Sequence, residues 1–160
     1  MDIVIHYIVP FLLLKLFDVK HRFLPFLALI ALLPDLDKLI GVGRMTFHNV
    51  FFVLIIIFLV YVFFRKNKEG IKVTALTTFF LFSHLLLDLG GPIAMFFPLS
   101  PDYYLIEFAV KFFNFIPFLY LNFSVVTLGP EMPHYIISTA SMGIILLLLI
   151  LFLVKKRFKK

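Results

Sequence analysis

Three short stretches carry residues able to hold a metal ion in surroundings that disfavour charge: Pro34-Asp35-Leu36-Asp37, His48-Asn49, and Ser83-His84 through Asp88. Each lies inside or beside a long apolar run, where an unpaired carboxylate or imidazole costs on the order of several kcal/mol, so such groups mark candidate functional sites. Asp and His supply oxygen and nitrogen ligands suited to zinc, manganese or iron. His84 and Asp88 are spaced i, i+4, which stacks them on one helix face. Pro34 disfavours helix at Leu33, so Asp35 and Asp37 are expected on a turn, where both carboxylates can face one cavity. The expected metal ligands are His6, Asp35, His48, His84 and Asp88. One of Asp35 and Asp37 completes the shell, and the other, taken as Asp37, serves as general base. Arg44 is expected to steady a phosphate or carboxylate oxygen. Ser83, Asn49 and Arg44 are candidate donors around the ligands.

The chain that must position these groups is unusually apolar. Of its 160 residues 62% are hydrophobic and 15% charged, and the mean hydropathy is +1.09, which excludes an ordinary water-soluble globule. There is room for one compact unit, read as a single membrane-embedded helical domain over residues 1–160. With no cysteine, a metal site must be built from His and carboxylates alone. The net charge of +6 comes from basic residues in short loops and at the C-terminus, without the aromatic-interleaved patch that tracks a phosphate backbone, so no nucleic-acid partner is expected. Met1-Asp2-Ile3-Val4 lacks the positive n-region of a signal peptide, and residue 1 is read as mature.

Six apolar segments can be marked, at 3–17, 23–40, 47–64, 73–89, 104–121 and 134–154. Arg65 through Lys72 form a basic loop and Lys155 through Lys160 a basic tail, both cytoplasmic by the positive-inside bias. Two cytoplasmic ends require an even number of crossings between them, yet three segments intervene. Segment 104–121, with Glu107, Lys111, Asn114 and Pro117, is therefore read as interfacial or re-entrant. The expected fold is all-α: a polytopic membrane helix bundle with about five spanning helices, a multi-pass cell-membrane protein with its C-terminus in the cytoplasm. In that topology His6, Asp35, Asp37, His48, His84 and Asp88 all fall toward the outer leaflet. Blander roles are assigned elsewhere: His21 solvated in a basic loop, His134 at a helix boundary, Asp102, Glu107 and Glu131 on the rim, and 23 phenylalanines in packing or facing lipid.

At these residues the chain resembles the membrane-bound metal-dependent hydrolases typified by the YdjM and YbcI proteins. That family's pattern has an early His, a Pro-Asp-x-Asp motif, a His-Arg-x-x-Thr-His-Ser motif, a Ser-His-x-x-x-Asp motif and a Gly/Pro stretch ending in Pro-x-Ser. The matching positions here are His6, Pro34 through Asp37, Arg44 through Asn49, Ser83 through Asp88, and Gly91-Pro92 through Ser100. Gly43, Phe47 and Asn49 depart from the third motif. The resemblance covers about the first 100 residues and implies a metal-dependent hydrolase; the Asp and His ligands themselves lead to the expectation of a divalent ion, zinc first and manganese or iron also suited.

The expected activity is cleavage of a lipid-borne or membrane-proximal ester or phosphoester near the extracytoplasmic leaflet, with the bilayer and a lipid or lipid-linked substrate as partners. Pro98 through Pro101 and segment 104–121 are candidates for a lid or lipid entry groove. Other hydrolase classes lack their motifs: there is no His-Glu-x-x-His, no Gly-x-Ser-Gly and no Ser-Gly-His. The alternative is a non-enzymatic membrane protein whose His/Asp cluster binds a metal ion or serves as a structural polar network. Through-transport is disfavoured by the apolar runs Val53–Phe64 and Ile144–Val154.

Overall fold

A computed structural model describes residues 3–37, 45–113, 116–126, 145, 147–153 and 155. Helix α1 (Ile3–Leu16) is followed by a short α2 (Leu24–Leu29) that tightens into a 3-10 turn (Ile30–Leu32), then by α3 (Val50–Phe64) and α4 (Gly70–Asp88). Strands β1 (Tyr103–Phe113) and β2 (Ile116–Val126) pair antiparallel, with Tyr103 opposite Val126 and Phe113 opposite Ile116.

Local sequence accounts for most of these boundaries. Helix α1 ends where Asp18 enters the left-handed region at φ 59°. Its last carbonyls meet a cation: Lys155 donates to the Leu16 carbonyl and pairs with Asp18 at 2.8 Å, a favourable placement at a helix C-terminus. Pro25 sits in the first turn of α2, where a missing N–H costs nothing. Asn49 caps α3, its Oδ1 accepting the Phe52 N–H at 2.8 Å while its amide donates to the carbonyls of Met45 and Thr46. Gly70 opens α4 against the α3 end, where an added Cβ would meet the Phe64 carbonyl oxygen at 2.1 Å, so only glycine fits.

Helix α4 is the axis of the molecule. One core gathers Leu14, Leu24, Ala28, Val73, Leu76 and Phe80, joining α1 and α2 to the first half of α4. A second gathers Val53, Leu81, Leu85, Leu89 and Ile93, joining α3 and the chain after α4 to its second half. Along α4 the i, i+4 row Leu76, Phe80, His84, Asp88 is buried throughout, so one face changes from apolar packing to polar groups within three turns. The hairpin is anchored beside that polar end: Ile106 N–H donates to the Leu89 carbonyl at 2.7 Å, and Ile93 bridges to Tyr104.

Large apolar side chains cover much of the surface. In α3 only Val53 is buried, while Leu54, Ile55, Phe58, Leu59 and Phe63 are exposed. Over residues 121–125 of β2, Leu121, Phe123 and Val125 are exposed, with half-buried Asn122 and Ser124 between them.

The five-span helical bundle expected from the sequence is not what forms. Among the described residues only Gly70–Asp88 is long and apolar enough to cross a membrane. Helices α1 and α3, with 14 and 15 residues, extend about 21 and 22 Å at 1.5 Å per residue, short of a hydrocarbon core of about 30 Å. Segment 23–40 breaks after six α-helical residues into a 3-10 turn, four residues ahead of Pro34, and Leu33 keeps helical angles (φ −57°, ψ −41°), so Pro34 does not exclude helix there as the sequence suggested. The described residues of segment 104–121 are strand rather than an interfacial helix, because their density of Tyr, Phe, Ile and Val favours the extended chain. Most of segment 134–154, including His134, lies outside the described residues.

Candidate metal centre

The end of the buried α4 row is where the polar groups meet. Helix α4 supplies His84 and Asp88, the early turns of α1 supply His6, the turn at Pro34 supplies Asp35, the helical residues that follow it supply Asp37 in place of the shared turn expected from sequence, and the turn before Asn49 supplies His48. All six side chains are buried: His48, His84, Asp37 and Asp88 at 0%, His6 at 1% and Asp35 at 5% exposure. A concentration of ionisable groups with so little water contact requires partners for every charge.

Asp88 is the hub. Its Oδ1 lies 2.8 Å from His6 Nε2, and its Oδ2 lies 2.9 Å from His48 Nε2 and 3.6 Å from His84 Nε2. Asp35 Oδ1 lies 3.4 Å from His48 Nε2 and 4.0 Å from His84 Nε2. The imidazoles crowd one another as well, with ring centroids 4.1 Å apart for His6 and His84 and 5.2 Å for His48 and His84.

The arrangement suits a common centre better than it suits pairwise hydrogen bonds. Among the described residues the Nε2 atoms of His6 and His48 make no hydrogen bond despite their short approaches to Asp88, and His84 Nε2 lies beyond hydrogen-bond distance of both carboxylates. Ligand atoms from Asp35, His48, His84 and Asp88 all lie within 4.8 Å of one another, so this buried group is able to hold a metal ion. Four donors at about 2.1 Å from a tetrahedral ion stand about 3.4 Å apart. The four nitrogen-to-oxygen separations here, 2.9, 3.4, 3.6 and 4.0 Å, bracket that edge.

His48 is held from behind. Asp37 Oδ2 lies 2.6 Å from His48 Nδ1, a short charge-assisted contact that sets Nδ1 as the donor and turns Nε2 toward Asp35 and Asp88. Burial opposes a charge on this imidazole, but the carboxylates of Asp35, Asp37 and Asp88 outweigh it and raise its pKa to about 9.

The site thus brings together His6, Asp35, Asp37, His48, His84 and Asp88. Asp37, read from sequence as the general base, is occupied with His48. The expected outer donors are placed elsewhere for local reasons: Ser83 Oγ donates to the Phe80 carbonyl of its own helix, and Asn49 is spent on its cap. Arg44 and Gly43 lie outside the described residues. What sequence reading missed is the Asp37–His48 contact, for which the Pro-Asp-x-Asp spacing gives no sign of which carboxylate turns outward. No family model matches the chain, and neither a curated protein nor a solved structure does.

Proposed function

We propose that this chain is a membrane-embedded, metal-dependent hydrolase, with zinc as its ion, acting on a lipid-borne or membrane-proximal ester or phosphoester near the extracytoplasmic leaflet. One observation carries the reading: Asp35, His48, His84 and Asp88 converge from three segments of a cysteine-free chain with separations near a tetrahedral edge. Two imidazoles and two carboxylates suit zinc, and also manganese or iron. The order of the motifs, shared with the YdjM/YbcI-like hydrolases, supports the same class.

A bound divalent ion would polarise the scissile group and acidify an attacking water. The remaining work falls to the chain. Asp37 fixes the tautomer and direction of His48, and His6 braces Asp88 from the α1 side. Asp35, the least buried of the three carboxylates and 3.4 and 4.0 Å from the two imidazoles, would give up its place on the ion to the water and accept the water's proton, which leaves three protein ligands. Arg44 is assigned the anionic oxygen of the substrate.

Membrane embedding is supported by the apolar surface of α3 and by α4, whose Gly70 and Asp88 ends stand about 27 Å apart at 1.5 Å per residue. The basic loop precedes Gly70 and the polar centre closes on Asp88, so the positive-inside bias directs the centre outward. The Lys155–Asp18 pair favours a C-terminal tail on the side of the Lys15–Arg22 loop, the cytoplasmic one.

Elemental analysis of detergent-purified protein tests the reading. Wild type should retain about one zinc per chain, His84→Ala and Asp88→Asn should lose it, and ester or phosphoester cleavage should vanish with chelation and return with zinc. A second reading, a non-catalytic polar network joining four segments, is favoured by the 2.6–2.9 Å contacts of His48 and His6 with Asp37 and Asp88. It predicts wild-type protein that never retains metal, a result that overturns the hydrolase.

A further inference from the structure

The opposite end of α4 carries a feature that the centre does not use. The α1–α2 connection, through His21, Arg22 and Phe23, and the α3–α4 connection, through Phe64, Asn67 and Lys68, enclose a cleft of about 360 Å³ floored by Val73. We infer that this cleft binds the phosphate headgroup of an anionic phospholipid. The inference rests on the membrane embedding proposed above and not on the metal centre.

The donors suit a phosphate. Among the described residues neither Arg22 nor Lys68 pairs with a carboxylate, and the acid at the cleft, Glu69, is engaged by Lys72 at 3.2 Å. Arg22 lies over the Phe23 ring, 4.5 Å from its centroid, which presets a planar fork able to grip two phosphate oxygens. His21 Nδ1 accepts the Phe23 N–H at 3.3 Å, so its other ring nitrogen carries a proton to donate. Asn67 adds an amide. Lys20, Arg65 and Lys66 raise the surrounding potential, while Asp18 is neutralised by Lys155.

The source of the phosphate is argued from the apolar half of the cleft. Phe23, Phe64 and Val73 form a wall that a free inorganic anion would not use. Phe63 and Ile71, next to that wall in sequence, are 78% and 81% exposed, placed for acyl chains beside a held headgroup.

The test uses the full chain in neutral detergent, offered equal amounts of phosphatidylglycerol and phosphatidylcholine, with retained lipid read by native mass spectrometry. Wild type should retain phosphatidylglycerol preferentially. Each basic residue is worth about fivefold at an anionic lipid surface, so R22Q/K68Q should lower the preference about 25-fold. R65Q/K66Q removes equal charge outside the lining and should largely keep it. All four side chains are exposed, so the variants are expected to fold, with zinc content an independent check. The assignment is overturned by no preference in wild type, by an unchanged R22Q/K68Q, by equal loss in R65Q/K66Q, or by full displacement with millimolar inorganic phosphate. Recovery of the chain in the soluble fraction of lysed cells would instead overturn the embedding, and the lipid site with it.

Discussion

Replacing Asp37 by asparagine removes a negative charge from behind the His48 ring while keeping volume and shape nearly constant. The lost contact is 2.6 Å long, with both side chains at 0% exposure. A buried hydrogen bond to a charged group is worth about 1.5–3 kcal/mol, and outer partners of metal-bound histidines typically contribute about 10- to 100-fold in metal affinity. D37N should therefore bind zinc about 10- to 100-fold more weakly, because the amide no longer holds His48 in the tautomer that frees Nε2. The loss should depend on pH in a defined direction. With the wild-type imidazole at about 9, protons compete with the ion below that pH, so wild-type affinity rises toward pH 9 and then levels. Without the Asp37 charge the proton is held less tightly, so D37N levels at a lower pH. The deficit is then widest in alkaline solution and narrows on acidification. Competition with a chromogenic chelator, on EDTA-stripped protein in detergent from about pH 6 to 10, reads both quantities. Equal affinity of variant and wild type across the range would refute the positioning role of Asp37. A constant deficit accompanied by a lowered melting temperature would reduce it to packing.

Three further outcomes are expected. If the proposed zinc site holds, wild type should gain about 2.7 kcal/mol of thermal stability at a hundredfold excess over Kd, and His84→Ala should leave the helix intact yet abolish that gain; retained stabilisation in a melting experiment would remove His84 from the ligand set. In metal-free protein the raised pKa of His48 gives stability that is fully present below about pH 6.5 and lost as pH rises through about 9, at most about 3 kcal/mol, so chemical unfolding should show the stripped protein weakening over that window. Asn49→Ala should cost about 0.5–2 kcal/mol through the α3 cap and loosen the His48 turn, weakening zinc binding measurably in the same chelator titration.

The candidate site was more legible in the sequence than the fold. Asp and His inside apolar runs declare themselves because burial of charge is costly, and the i, i+4 spacing of His84 and Asp88 settles their common face without tertiary information. Pro34 placed Asp35 on a turn, but the expectation that Asp37 shares that turn failed, since Leu36 and Asp37 are already helical. The span count was less readable, because hydropathy registers apolar length and not where a helix stops. Asn49, a favoured N-cap residue directly before the apolar run, marked the start of α3 and would have shortened segment 47–64 to 15 helical residues. The hairpin was missed for a related reason. Glu107, Lys111 and Pro117 were taken as defects in a helix, whereas Tyr103-Tyr104-Leu105-Ile106 and Phe118 through Phe123 are strand-forming runs. The pairing of Asp37 with His48 depends on which way a turn faces, and no local pattern encodes that.

The row of α4 that passes from Leu76 and Phe80 to His84 and Asp88 has a mechanical consequence. An ion gripped there fastens Asp35 to Asp88, closing a loop of about 50 residues in a polypeptide that has no cysteine to staple it. A covalent crosslink across a loop of that size would remove about 4 kcal/mol of denatured-chain entropy. Loading the centre would thus act as a reversible rivet, and starving the cell of the ion would loosen the protein before any substrate was met.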